Sequence, residues 1–247
     1  MFIPKHHALT ELAAMQAHID RHPLGAWVCL TGGEANGSGG LVANHIPFFL
    51  DRTEGAQGRL IGHVSRANPV WRQLEHGATS VVMFMGAQSY ITSAWYPGKQ
   101  EHGKVVPTWN YATVHAHGVA RAVEDQAWIL EMLNRLTTAQ ESSRPTPWSI
   151  SDAPSDYIRK KLRAIVGIEI SIERLEGRCK LSQDEDLADR AGTVEGLLQE
   201  PDSQAQTMAM LVRKAMAGAG GGHEMKKALK LYALSALIWW IVVGSNH

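Results

Sequence analysis

Three stretches of this chain concentrate side chains that could do chemistry. In residues 44–48, Asn44 and His45 sit beside Ile46, Pro47 and Phe48, so an amide and an imidazole interrupt an apolar strand. Such a pair is either satisfied by neighbouring backbone or offered to a ligand. In residues 62–69, Gly62, His63, Val64, Ser65, Arg66, Ala67, Asn68 and Pro69 read as a strand end entering a helix start. A hydroxyl, a guanidinium and an amide beside the N–H groups of a helix N-terminus have the chemistry of a phosphate site. The same residues also suit an N-capping network with a surface arginine.

The third stretch, residues 90–117, interleaves Trp95, Tyr96, Trp109 and Tyr111 with Lys99, His102, Lys104, Thr108 and Asn110, and ends in His115 and His117. Rings for stacking, cations for a phosphate and amides for ring-edge hydrogen bonds fit a planar anionic ligand. They could also stack single-stranded bases. His115 and His117, two apart on a strand, point to one face and could ligate a metal. No cysteine or carboxylate accompanies them in the local sequence, so no metal ligand is assigned. The chain has no HExxH, no GxGxxG after a strand and no recognisable Ser-His-Asp order. Hydrolase and Rossmann readings are unsupported, and no catalytic residue is assigned.

These residues need a scaffold. Apolar spacings of three and four predict a helix over residues 7–22, and a short apolar run from Trp27 leads through a glycine-rich loop to a second run over 41–50. Further strands are predicted at 59–64, 79–85, 89–91, 113–121 and 167–172, with a short helix at 69–75 and longer ones after Asp125 and over 154–164. A helix opening at Pro201 and Asp202 is expected to end at Ala217, with Gly218 as terminator. About six strands with few helices between them favour an antiparallel barrel over a doubly wound sheet.

Composition narrows the function. The 247 residues carry 24 Lys+Arg against 24 Asp+Glu, with 45% apolar and 19% charged residues. That balance suits a folded protein and gives no support to DNA or RNA binding by bulk charge. Cys29 and Cys179 lie far apart and read as two reduced thiols. Residues 1–7 have no apolar signal run, so a cytoplasmic protein is expected. Residues 1–217 are expected to form one domain, 218–222 a glycine-rich linker and 223–247 an apolar, helical tail. The apolar run at 231–243 is shorter than the roughly 17 to 25 residues of a membrane span. Its lysine flank and its Trp239–Trp240 pair offer a membrane-surface contact as one reading, packing on the body or a partner subunit as another, and an appended segment with no selected role as a third.

The segments MFIPKHH, NHIPFFLD, GHVSRANPVW, SYITSAWYPGKQEHGKVVPTWNYATVHAHG, IVGIEI and GRCKLSQ, in this order and spacing, strongly resemble the PaiB family of FMN-binding negative transcriptional regulators. The resemblance runs from Met1 to about Ala217. It implies a mainly β fold with flanking helices, the flavin-binding split β-barrel of pyridoxamine phosphate oxidase type, working as a homodimer with FMN at the interface. It further implies that Arg66, with His63, Ser65 and Asn68 around it, meets the phosphate and ribityl chain, and that Asn44, His45 and Ile46 lie along the isoalloxazine edge. Trp109, Asn110 and Tyr111 would approach the partner's flavin, and Lys180, Ser182 and Gln183 complete the set. The chain departs from the family at Gly86-Ala87-Gln88, where Gly-Pro-His is expected, and at Asp184, where an asparagine is expected; a carboxylate there repels a phosphate. The function implied is a transcriptional regulator, indirect or redox-sensing. The alternative is an FMN-dependent oxidoreductase, with His45 or His115 as the first candidates for proton donor.

Overall fold

A computed structural model describes residues 1–31 and 40–219. The glycine loop, most of the expected linker and the apolar tail lie outside the described residues. The chain divides into two compact units, Met1–Gly86 with Ala112–Cys179, and Ala87–Tyr111 with the residues from Lys180 onward.

The first unit is built on strands β1 (Ala8–Leu9), β2 (Leu24–Leu30), β3 (Leu41–Pro47), β4 (Phe49–Asp51), β5 (Arg59–Ser65), β6 (Ala78–Ile91), β7 (Thr108–Val123) and β8 (Ile165–Lys180). The last residues of β6 and the first of β7 belong to the second unit. The sheet order is β3-β2-β6-β7-β8-β5-β4, with β1 paired to β8. The pairings of β2 with β3 and β6, of β5 with β4 and β8, and of β1 with β8 are antiparallel.

Alternation decides what each strand buries. Along β2, Gly25, Trp27 and Cys29 point inward while Leu24 and Leu30 are exposed. The interior collects Trp27, Phe84, Leu60, Val114, Ile168 and Ile170, and the Trp27 indole donates to Ser80 Oγ at 3.1 Å. The sheet curls. Four strands separate β3 from β5 in the order, yet Asn68 Nδ2, just past β5, donates to Asn44 Oδ1 of β3 at 2.7 Å. Gly62 of β5 is glycine because a Cβ there would lie 2.9 Å from Pro47 O and 3.3 Å from the Phe48 ring.

Helices cover part of this sheet. α1 (Leu12–Arg21) buries Met15, His18 and Ile19. α3 (Gln126–Glu141), capped by Asp125 accepting from Trp128 N at 2.7 Å, packs Ile129 and Met132 with Leu162 of α4 (Ser155–Leu162) onto Ile61. Asp51, with a side chain 2% exposed, accepts from Arg135 Nη1 at 2.7 Å, Arg59 Nη2 at 3.1 Å and Thr53 Oγ1 at 2.7 Å. This network ties β4, β5 and α3 together.

The second unit holds the short α2 (Gly98–Glu101), α5 (Leu187–Gln199) and α6 (Ser203–Ala219), with α5 packed on α6. Gly196 of α5 lies under the Trp95 indole, where a Cβ would come within 2.4 Å of the ring.

Several boundaries differ from the sequence expectation. Residues 8–9 are a strand rather than part of the first helix, and 69–73 form a 3-10 turn. The expected strands at 79–85 and 89–91 are one strand, because Gly86 does not break it; a Cβ there would sit 2.7 Å from His18 Cε1. Gly218 lies inside α6 instead of ending it. α5 was not anticipated. Its buried face carries Asp189, Arg190 and Thr193 among Val194 and Leu197, which hides the apolar period.

Candidate functional site

The residues expected to hold a ligand fall into two groups, one in each unit. In the first unit Asn44 and Asn68 are hydrogen-bonded to each other, and Asn68 Oδ1 also accepts from Val70 N at 3.1 Å, capping the 3-10 turn. Ser65 Oγ accepts from Ala67 N at 3.3 Å. The motif is therefore both an N-cap and a polar cluster. Two atoms of the candidate residues are buried without a partner, Asn44 Nδ2 on the inner face of β3 and His63 Nδ1 on the face of β5 that carries Ile61. Burial also pushes the His63 imidazole below its ordinary pKa, so it favours the neutral form.

Arg66 is oriented by protein acceptors. Its Nε donates to Arg163 O at 3.0 Å and Nη1 to Glu124 Oε2 at 2.6 Å, and its guanidinium lies 5.3 Å from the Trp71 ring centre. The Glu124 side chain is 56% exposed, and such a pair contributes at most about 1 kcal/mol, so an incoming anion can replace it. Strand alternation separates the other three expected residues. Asn44 and Ile46 share the inner face, where Ile46 is part of the core, while His45 lies on the outer face.

That outer face is apolar. Leu24 and Leu30 of β2, Leu41 of β3 and Met85 of β6 are exposed on it, with His45 opposite Ala26.

In the second unit the expected residues converge. Asn110, fully buried, donates from Nδ2 to Ser182 Oγ at 2.8 Å, and Lys180 Nζ donates to Thr108 Oγ1. Gln183 Oε1 accepts from Leu181 N at 2.6 Å, closing a turn in which Ser182 takes a left-handed φ of 58°. Trp109 is half-exposed, donates to Gln88 Oε1 at 3.2 Å and stands 6.1 Å from the Tyr90 ring. Tyr111 is half-buried.

Sequence reading missed Arg190 here. The Asn110 Oδ1 is buried without a hydrogen-bond partner, as are Nε and Nη2 of Arg190, a residue only 5% exposed, while the buried Tyr96 hydroxyl meets the hydroxyls of Thr193 and Ser182. Burial, then the charge of Glu185, pushes the Tyr96 phenol up to about 12. Tyr96 was visible as a candidate aromatic; Arg190 gave no signal because it sits in the unrecognised α5.

A curled antiparallel sheet with flanking helices, carrying clustered amides, hydroxyls and cations beside exposed rings, is a split barrel of the flavin-binding type. Residues 1–174 match the family described as "Putative FMN-binding domain", and the chain belongs to that family, the one typified by PaiB. The chain is 32% identical to an uncharacterized protein of Aspergillus fumigatus, over 79% of this chain and 90% of that one. It is 29% identical to the Bacillus subtilis "Protease synthase and sporulation protein PAI 2", over 86% of this chain and 96% of that one. Among solved structures, the flavocytochrome Anf3 of Azotobacter vinelandii shares the fold, with a TM-score of 0.50 and 18% identity over 74% of each chain. No helix among the described residues is long and apolar enough to cross a membrane.

Proposed function

We propose that this chain binds FMN as a homodimer and acts as a flavin-dependent regulator of the PaiB type. The observation that carries the reading is that three of the candidate residues keep a buried polar atom without a partner, Asn44 Nδ2 and His63 Nδ1 in the first unit and Asn110 Oδ1 in the second. Each such atom costs stability when left unpaired, by about 1–3 kcal/mol, and a ligand rich in hydroxyl, carbonyl and phosphate groups supplies partners. The residues present therefore fit FMN.

In this reading Arg66 takes the phosphate, with Ser65, His63 and Asn68 beside the ribityl chain. Asn44, His45 and the Ile46 backbone run along the ring edge. Trp109, Asn110 and Tyr111, with Lys180, Ser182 and Gln183, approach the flavin of the second copy. FMN would supply electron acceptance and donation; the chain's own side chains bind it, orient it and keep water from its edge. The exposed Leu24, Leu30, Leu41 and Met85 are the surface that a second copy covers. The balance of 24 cations and 24 anions makes the regulatory output indirect, through a partner or through flavin redox state.

Arg66→Ala is expected to weaken FMN binding by about 1.5–3 kcal/mol, the range for a hydrogen bond to a charged group. A fluorescence titration unchanged from the parent chain removes Arg66 from the phosphate role. Anaerobic addition of NADH or NADPH separates regulator from enzyme: flavin absorbance that persists supports the regulatory reading, and rapid bleaching supports an FMN-dependent oxidoreductase.

A further inference from the structure

The histidine pair that lacked a third ligand in the sequence acquires one in the fold. His115 and His117 of β7 and Glu176 of β8 come together in the first unit, and one ligand atom from each lies within 4.8 Å of the other two. His117 Nε2 is 3.1 Å from Glu176 Oε2, and the two imidazole centres are 6.3 Å apart. Two ligands of a tetrahedral ion with bonds of about 2.0–2.1 Å stand about 3.3 Å apart, so the His117–Glu176 spacing already matches one edge of such a site. All three residues are half-buried, which leaves water access for a remaining coordination position.

We propose that His115, His117 and Glu176 form a binding site for one divalent transition-metal ion of the zinc type. The donor set, two imidazoles and one carboxylate, is suited to such ions rather than to calcium or magnesium, which prefer oxygen ligands. Two adjacent β-strands hold it, so little chain entropy is lost on loading. The site uses none of the residues proposed to bind FMN, and it gives His115 a role other than that of proton donor.

The surroundings set its affinity. Glu176 Oε1 pairs with Arg174 Nη1, and Oε2 also accepts from the Met1 amine at 2.8 Å. Both cations compete with a metal for the carboxylate. The site is therefore tuned to moderate affinity, and removing Arg174, whose side chain is 54% exposed, should tighten it.

The test is calorimetric titration of metal-free full-length chain, made without a polyhistidine tag, with ZnCl2, alongside visible absorption with CoCl2. One equivalent of zinc per chain and the intense cobalt bands of a four- or five-coordinate site are expected. His117→Ala and Glu176→Gln should each weaken binding by more than about tenfold. Arg174→Gln, an exposed change that keeps the fold intact, should strengthen it severalfold. The proposal is overturned if the parent chain takes up no zinc, if zinc binds equally well to folded His117→Ala and Glu176→Gln chains, or if Arg174→Gln leaves the affinity unchanged or lower.

Discussion

Asp51→Ala is expected to destabilise the chain by about 3 kcal/mol, the low end of the cost of breaking a buried ion pair. The low end applies because the arginines left behind, Arg59 and Arg135, are 23% and 31% exposed and can recover water, whereas the Asp51 carboxylate is almost fully buried. In a chain of this size such a loss lowers Tm by roughly 6–12 °C, which thermal unfolding followed by circular dichroism measures. Thr53→Ala, which removes only the hydroxyl donor to the same carboxylate, should cost about 1 kcal/mol. The Arg135 guanidinium, with Thr53 and Arg59, holds the Asp51 carboxyl well below the usual carboxylate range despite its burial. A group whose folded pKa is depressed contributes stability above its unfolded pKa of about 3.9 and loses it as pH falls below that value. Equal thermal midpoints for Asp51→Ala and the parent would contradict this assignment.

The second large effect is a loss of stability in mild acid, and His18 causes it. Its Nε2 lies 3.0 Å from Phe84 O, its ring centre is 4.6 Å from that of the tilted His22 ring, and burial lowers its pKa to about 4. The fold holds this imidazole neutral, while the unfolded chain protonates it near pH 6.5. Below pH 6.5 the unfolded state therefore binds more protons, and stability falls as pH drops from about 6.5 towards 4, by on the order of 3 kcal/mol in total. His22, also lowered by burial, adds to the slope in the same direction. Urea unfolding of the parent at a series of pH values should show the decline, and His18→Gln should flatten much of it. A parent whose stability is level between pH 6.5 and 4.5 would refute this role for His18.

The sequence made the strands legible where one period governs them. β2 alternates around a single core and was visible, and so was β5, which is buried on both faces with Leu60 turned to the sheet interior and Ile61 to the helices, as were the Asp125 cap and the polar stretch at Ser65–Asn68. What was hidden is what two distant segments decide together. Gly86 reads as a breaker until His18 is seen against it. The buried face of α5 carries polar residues that obscure its apolar period, and one of them, Asp189, is used by Gly98 N, 2.9 Å away and 91 residues earlier. In the same way, Asn110 and Ser182 were both candidates, but only the fold pairs them. Glu176 gave no sign at all. Its role beside His117 depends on strand pairing that no local pattern encodes.

The alternation rule also refines the first motif. Asn44, His45 and Ile46 form one polar block in sequence, yet successive side chains of β3 face opposite ways. His45 is the member that meets the exposed apolar face, and Asn44 the one joined to Asn68. A ligand edge drawn along all three must use the Ile46 backbone, because its side chain is committed to the core.

The central claim is that these clusters hold FMN, and equilibrium titration of the flavin-free full-length chain with FMN, read by flavin fluorescence, tests it most directly. The account predicts a saturable change at one FMN per chain, weakened in Arg66→Ala. A chain that emerges from purification without flavin absorbance and gives no saturable change on adding FMN would contradict it.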